Sequence, residues 1–436
     1  MIRLILMIWM SLIAVPLQAA VEVQEVTSPG GIKAWLVEEH SIPFTALELR
    51  FRGGAVLDIT GKRGAINLMA GLLEEGAGEL DSQGFSQARE TLATSFDYRA
   101  FDDAMSISAR FLTENRGEAV SLLKTSIMQP TFGQDDIDRV REQVLSGLRS
   151  DATDPDEIAR NTFDKMTWGN HAYGSNRNGT VESVNALSRE DIVAAHRAVF
   201  ARDRLYVSAV GDITAQELGV LMDKLLGDIP ATGAPLVEHA DYQLTGGITV
   251  IPFDTPQSVA LFGHVGITRD DPDFVAAYIL NEVFGGNGLD SRLMVEVREK
   301  RGLTYGVGTY LAPMDYGELV VGQVRSDNSR IAESIEVIKQ EWEKIAETGL
   351  TANELDEAKT YLTGAYPLRF DGNAPIARIM VGMQMTGLGV DYIANRNDLV
   401  NAVTLEDIRR VAKRIYQPEN LHFVVVGQPD GVQNSN

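Results

Sequence analysis

The chain contains an internal sequence repeat. Residues 188–211 (SREDIVAAHRAVFARDRLYVSAVG) and 404–427 (TLEDIRRVAKRIYQPENLHFVVVG) align without a gap at an offset of 216 residues. At the same offset, residues 31–32 fall on residues 247–248, both Gly-Ile, so the repeat reaches back to the start of each half. A repeat of this length predicts two similar domains and not a stack of short units. The length of 436 residues agrees, because it exceeds what one ordinary hydrophobic core supports.

Both copies of the repeat begin with the same helix-start signal. Ser188 and Thr404 each precede an aspartate by three residues, a spacing in which the hydroxyl caps free N–H groups of the first turn. An amphipathic helix then leads into a short apolar strand that stops at glycine. Elsewhere, runs typical of strands (46–51, 104–110, 320–324) alternate with runs typical of helices (135–149, 329–348). We therefore expect an α+β fold of two homologous domains, each a largely antiparallel sheet with helices packed on one face.

The predicted domain limits follow from turn-forming residues between the copies. Residues 229–235 (IPATGAP) and the glycine pair at 246–247 are typical of a linker. The predicted segments are a signal peptide, a first domain, a linker and a second domain, at residues 1–20, 21–228, 229–247 and 248–436.

The N-terminus has the pattern of a secretory signal peptide. Arg3 supplies one positive charge, residues 4–15 are apolar, and Ala19-Ala20 form a small-residue end. An apolar run of about twelve residues is shorter than the roughly 20 that a membrane span requires. The chain has no cysteine, so disulfides do not stabilise it. We expect an exported bacterial protein of the periplasm, with no membrane span after cleavage.

The net charge of −22 restricts the possible partners. An acidic chain repels nucleic acid and anionic membrane surfaces, so both are disfavoured as ligands. The charge is compatible with basic peptides or a basic partner, and it also keeps a protein soluble.

The second half carries an informative run at residues 284–308, FGGNGLDSRLMVEVREKRGLTYGVG. This run resembles the second-half motif of the pitrilysin-type (inverzincin) zinc peptidases. The resemblance implies that Arg298 and Tyr305 bind the carbonyl of a peptide and the oxyanion formed at a zinc ion. A guanidinium is a permanent cation with several donors, and a phenol adds one directed O–H. The alternative is structural: Arg298 pairs with Glu296 or Asp290, and Tyr305 belongs to the core.

The first half lacks the metal motif of that family. Members carry H-x-x-E-H on a helix, where two histidines four residues apart share one face. Aligning the glycine before the motif with Gly64 places Asn67, Ala70 and Gly71 at the His, Glu and His positions. The third ligand, a glutamate, falls at Gly147. A catalytic zinc ion needs three protein ligands. We therefore expect this chain to bind no metal or other cofactor, with zinc in a partner subunit.

The resemblance implies a function shared between two chains. Family members of this kind pair a zinc-bearing H-x-x-E-H subunit with a subunit that carries the Arg/Tyr pair, each half of a clamshell around an extended peptide. This chain resembles the second kind, a non-catalytic subunit of an exported zinc-dependent metalloendopeptidase in a heterodimer. Gly285–Gly288 is short where the non-catalytic subunit of the mitochondrial processing peptidase has a long glycine-rich loop. Processing of presequences is therefore disfavoured.

Two alternatives stay open. The chain can be a structural or assembly subunit of the same fold with no role in catalysis. It can also be a stand-alone peptidase with a rearranged metal site. Glu38-Glu39-His40 is the densest cluster of possible ligands for such a site, but adjacent strand residues point to opposite faces of a sheet.

Overall fold

The computed structural model describes residues 22–286, 288 and 290–435. The predicted signal peptide, residues 1–20, lies outside the described residues. In the part of the chain that is described, the helices are too short or too polar to cross a membrane.

The first half contains a main sheet and a short hairpin. Its strands are β1 (Gln24–Thr27), β2 (Lys33–Glu38), β3 (Phe44–Arg52), β4 (Gly76–Ala77), β5 (Leu80–Asp81), β6 (Ser95–Ala100), β7 (Ala104–Leu112) and β8 (Leu205–Gly211). Its helices are α1 (Ala65–Leu72), α2 (Ser82–Thr91), α3 (Arg116–Met128), α4 (Gln134–Asp151), α5 (Pro155–Trp168), α6 (Val181–Asn185), α7 (Arg189–Val199) and α8 (Ala215–Leu226).

The second half repeats the main sheet. Its strands are β9 (Gly247–Pro252), β10 (Gln257–Val265), β11 (Val307–Met314), β12 (Gly317–Asp327) and β13 (His422–Gly427). Its helices are α9 (Phe274–Gly285), α10 (Ile331–Thr348), α11 (Ala352–Ala365), α12 (Asn373–Met385), α13 (Tyr392–Ala402) and α14 (Leu405–Ile415).

The five strands of the second sheet have the same order as five of the six strands of the first, in which β1 is an additional strand beside β2. The first is β1-β2-β8-β3-β7-β6, and the second, taken from its other edge, is β9-β13-β10-β12-β11. In the described residues each sheet has one parallel pair, β2 with β8 and β13 with β9, and its other pairs are antiparallel. The predicted α+β fold class, with a duplicated and largely antiparallel layer, is confirmed.

The start signals of the repeat act as predicted. Ser188 and Asp191 form a reciprocal capping box at the start of α7, and Thr404 and Asp407 form another at the start of α14. Each hydroxyl accepts an N–H of the first turn while the aspartate accepts the N–H of the cap residue, which satisfies groups that a helix end leaves unpaired.

The two halves exchange one helix each. Helix α5 of the first half packs on β10 and β13 of the second sheet, and α12 of the second half packs on β3 and β8 of the first. Alternate residues of β3 explain how both faces are used, because Leu47 and Leu49 belong to the main core while Ala46 contacts the cluster around α12. Each sheet is therefore covered on its second face by a helix from the other half, a feature that the sequence did not predict.

Candidate functional site

Helix α1 carries the residues that the sequence resemblance aligns with the zinc-binding motif, and it is well formed. Gly64 precedes it in the left-handed region (φ 96°), and the Asp58 carboxylate accepts the N–H groups of Gly64 and Ile66 at 2.8 and 2.9 Å. Burial raises the pKa of Asp58 to about 6, although both hydrogen bonds favour the ionised form. The helix start is therefore held by a side chain, and no metal is needed to order it.

The residues at the ligand positions do not fit zinc. Ala70 is buried, Asn67 and Gly71 are partly buried, and the neighbouring α4 carries an exposed Gly147. A Cβ atom at Gly71 would lie 3.1 Å from Cγ1 of Val140, so an apolar contact between α1 and α4 stands where the second histidine would be. Among the described residues, no group of three or more His, Cys, Asp or Glu side chains is arranged to hold a metal ion.

The cluster at His40 is an ion-pair site. His40 lies beyond the end of β2, which lets its ring reach Asp212 (Nδ1 to Oδ1, 2.8 Å) and Glu38 (Nε2 to Oε2, 3.1 Å). The hydrogen bond with Asp212, followed by the one with Glu38, raises the pKa of His40. Both ring nitrogens are engaged by carboxylates, which favours the doubly protonated ring and leaves no lone pair for a metal ion.

The segment that carries Arg298 is not a regular α-helix. Residues Met294–Glu299 form a π-helix, in which the Lys300 N–H reaches Val295 O, five residues back, at 2.9 Å. π-Helical turns are rare and concentrate at functional sites. The extra residue per turn rotates the side chains that follow it relative to a regular helix.

The turn between Arg298 and Tyr305 is fixed through its backbone. Gly302 adopts a left-handed conformation (φ 59°), and its N–H reaches Arg298 O at 2.8 Å, as a C-terminal glycine does. Arg330 donates to the carbonyls of Arg301 and Gly302, each at 2.9 Å. Before β11, Thr304 Oγ1 accepts the Gly306 N–H at 3.0 Å and donates to Arg325 O. The backbone is held on both sides of the pair.

The side chains of Arg298 and Tyr305 are exposed. Tyr305 is 90% accessible, which excludes the alternative that it belongs to the core. Within the described residues Arg298 forms no side-chain hydrogen bond or ion pair, because the nearby Glu296 binds Lys300 and Arg301 at 2.7 and 2.8 Å. Two strong donors are thus available to a ligand on a rigid turn.

A cleft of about 1290 Å³ lies beside Tyr305. It is bounded by α9, by the beginning of β11, and by residues of α11, α13 and the 3₁₀ turn Tyr366–Arg369. Tyr305 lines this cleft and Arg298 does not. β11 is the outermost strand of its sheet, so the cleft runs along a sheet edge.

The cleft is cationic. Arg269, Arg369 and Arg396 line it, and none of them forms an ion pair within the part of the chain that is described. Glu282 is the one carboxyl group among its described lining residues, and burial raises the pKa of that group. The three arginines come from separate segments with no common motif, and sequence reasoning missed them.

A second cavity, of about 530 Å³, has the opposite charge. Asp102, Asp151, Glu157 and Asp164 line it together with two arginines. Burial raises the pKa of Asp164 to about 7. The positive lining is therefore a property of the cleft beside Tyr305 and not of every cavity.

Comparison with known proteins finds similar chains. Residues 186–362, which include Arg298 and Tyr305, match the family model described as the Peptidase M16 inactive domain. The chain is 27% identical over 393 residues to the non-peptidase homolog YmxG of Helicobacter pylori, covering 89% of this chain and 90% of that protein. It is 22% identical over 332 residues to a probable mitochondrial-processing peptidase subunit beta of Schizosaccharomyces pombe, covering 73% and 72% of the two chains.

A solved structure extends the likeness to three dimensions. The crystal structure of a peptidase M16 inactive domain from Pseudomonas fluorescens superposes with a TM-score of 0.88 at 26% identity, covering 95% of this chain and all of that one. The match therefore spans both halves of the chain. The chain is therefore similar, over most of its length, to inactive members of the pitrilysin-type (M16) peptidase family, and its residues 186–362 match the inactive domain of that family.

Proposed function

We propose that this chain is the non-catalytic subunit of an exported zinc-dependent metalloendopeptidase. Arg298 and Tyr305 bind the carbonyl of an extended peptide substrate, and a homologous partner that carries H-x-x-E-H holds the zinc ion. The proposal is supported by a contrast between the two halves. In the second half, Arg298 and Tyr305 are exposed on a turn that is held by backbone hydrogen bonds. In the first half, α1 and α4 provide no set of zinc ligands.

The chemistry of the pair suits a developing oxyanion. A guanidinium and a phenol that are already in place stabilise negative charge on the substrate oxygen without reorganising at the moment of reaction. This stabilisation requires a fixed position of the two donors. The hydrogen bonds of Arg330 and Thr304 hold the backbone that carries them. Removing one such donor typically lowers kcat by about 10²–10³.

The test is turnover by the assembled pair. The chain is co-expressed with a candidate partner chain that carries H-x-x-E-H, and cleavage of an internally quenched peptide is measured for Arg298→Gln and Tyr305→Phe. We expect kcat to fall about 100-fold for each, with a smaller change in KM. Both side chains are exposed, so the free energy of unfolding should stay within about 0.5 kcal/mol of the parent.

Arg301→Gln is the matched control, since Arg301 lies on the same turn and has its guanidinium engaged by Glu296. Turnover that is unchanged by substitution of Arg298 and Tyr305, in a pair that still assembles, would refute the catalytic role and favour a structural subunit.

Export to the periplasm is part of the proposal and rests on the pattern of residues 1–20. N-terminal sequencing of the protein from the periplasmic fraction should show cleavage after Ala19 or Ala20. Uncleaved protein confined to the cytoplasm would contradict it.

A further inference from the structure

The cleft beside Tyr305 holds positive charge without matching negative charge. The chain has 61 acidic and 39 basic residues, so a cleft with a positive lining is opposite in sign to the molecule as a whole. Arg325 also lines the cleft, but Asp156 of the first half binds it. For Arg269, Arg369 and Arg396 the described residues provide no carboxylate within ion-pair distance.

Arg396 is a buried cation of the cleft that has no carboxylate partner among the described residues. The side chain is 6% exposed, and its guanidinium donates to Leu362 O at 2.7 Å and to Asn397 Oδ1 at 3.2 Å. Its carbon Cζ lies 4.6 Å from the centre of the Tyr366 ring. Carbonyls and a ring face satisfy part of a buried cation, but a carboxylate is the partner that offsets the loss of water around a full charge.

A second arginine of the cleft lies against aromatic rings. Arg269 lies over the ring of Phe274, with Cζ 4.3 Å from its centre, and donates to the Tyr392 hydroxyl at 3.1 Å. A guanidinium stacked in this way presents its remaining N–H groups in one plane, which matches the two oxygens of a carboxylate. Arg369 is exposed and faces the same cleft.

The cleft's own carboxyl group does not neutralise these cations. Glu282 lies beyond 4 Å of any described arginine nitrogen, although the charge of Arg369 acts on it. Burial raises the pKa of Glu282, so the folded protein already disfavours its ionised form there. An anion entering the cleft therefore meets a net positive lining.

We propose that the cleft formed by Arg269, Arg369 and Arg396 beside Tyr305 binds acidic side chains of the peptide substrate. The inference rests on the proposed function, and it assigns a substrate class to the subunit: extended peptides with aspartate or glutamate next to the residue whose carbonyl Tyr305 contacts. The overall charge of the chain alone favours basic peptides, and the local lining reverses that expectation.

The experiment measures binding of labelled peptides to the purified chain. Four fluorescein-labelled ten-residue peptides share one Ala/Ser/Thr framework: amidated peptides with two Glu, two Gln or two Lys at alternate positions, and the Gln peptide with a free C-terminal carboxylate. Fluorescence anisotropy at 50 and 200 mM NaCl gives each Kd. We expect the Glu peptide to bind about tenfold more tightly than the amidated Gln peptide, with a smaller preference at the higher salt concentration.

Two variants and one control locate the preference. Arg369→Gln should reduce it to about threefold, and Arg369→Glu should abolish it; Arg369 is exposed, so both variants should fold. Arg409→Gln makes the same charge change at an exposed position of α14 outside the cleft and should leave the preference intact. Circular dichroism checks the fold of each variant.

The outcomes separate the inference from the proposed function. Equal binding of the Glu and amidated Gln peptides, or a preference that survives Arg369→Glu, overturns the inference. A gain seen only for the free C-terminus also overturns it, because the anion is then a peptide end and not a side chain. If Arg298→Gln still lowers turnover of the pair in either case, the proposed function stands without the charge preference.

Discussion

The exchanged helices predict that the two halves unfold as one unit. Met380 of α12 is fully buried and packs with Trp35, Ala46 and Val210 of the first sheet. Ser208 Oγ donates to Ala377 O at 2.6 Å across the same contact. On the other side, α5 is anchored in the second sheet. Loss of one exchanged helix therefore exposes apolar surface in both halves.

The perturbation is Met380→Ala. Replacing a buried methionine with alanine typically costs 2–5 kcal/mol, and at a fully buried site we expect about 3 kcal/mol. Native-state hydrogen exchange, followed by mass spectrometry, reports the free energy of opening for β3 (44–52) and β10 (257–265). Because the halves share their cores, both strands should lose the same amount.

Met69→Ala is the comparator, since Met69 is fully buried in α1, a helix of the first half, within the main core cluster. If the two halves unfold as one unit, Met69→Ala also lowers the free energy of opening of β10. Faster exchange in β3 with unchanged exchange in β10, for both variants, would refute the reasoning and show two independently stable halves.

Two further predictions concern Asp164 in the second cavity and Gly302 in the turn between Arg298 and Tyr305. The pKa of Asp164 is raised to about 7 in the folded chain, so the cost of ionising it is absent below pH 4, grows between pH 4 and 7, and is full above pH 7. Urea unfolding should therefore show Asp164→Asn to be more stable than the parent by about 4 kcal/mol at pH 8 and equal to it at pH 4. Gly302→Ala places a Cβ atom on a left-handed residue and should cost about 1 kcal/mol in the same assay; Gly302→Asn should cost less, and an equal or larger cost would contradict the role of backbone conformation.

The duplicated layer could be predicted from the sequence because its strands and helices have local apolar patterns, and because part of the pattern recurs in both halves. The strand-like runs 46–51, 104–110 and 320–324 lie within β3, β7 and β12. The helical runs 135–149 and 329–348 coincide with α4 and α10 to within two residues at their starts.

The sequence could not predict the exchange of α5 and α12. An amphipathic pattern shows that a helix has an apolar face, but it does not show which sheet that face covers. The π-helix at Met294–Glu299 was missed for a similar reason, since its residues have ordinary helical propensity and the distortion comes from the packing around it.

For the candidate site, the sequence provided Arg298 and Tyr305 through one contiguous run, and the structure added that both are exposed and uncommitted. The domain limits and the roles of these two residues stay predictions. Arg269, Arg369 and Arg396 had no signal in the sequence, because only folding brings three distant segments to one cleft.

The most direct test of the central claim is the zinc content of the purified chain, measured by elemental mass spectrometry after dialysis against metal-free buffer. With Asn67, Ala70, Gly71 and Gly147 at the ligand positions, we expect far less than one zinc ion per chain. One tightly held zinc ion per chain, lost together with peptide hydrolysis on treatment with a chelator, would contradict the account.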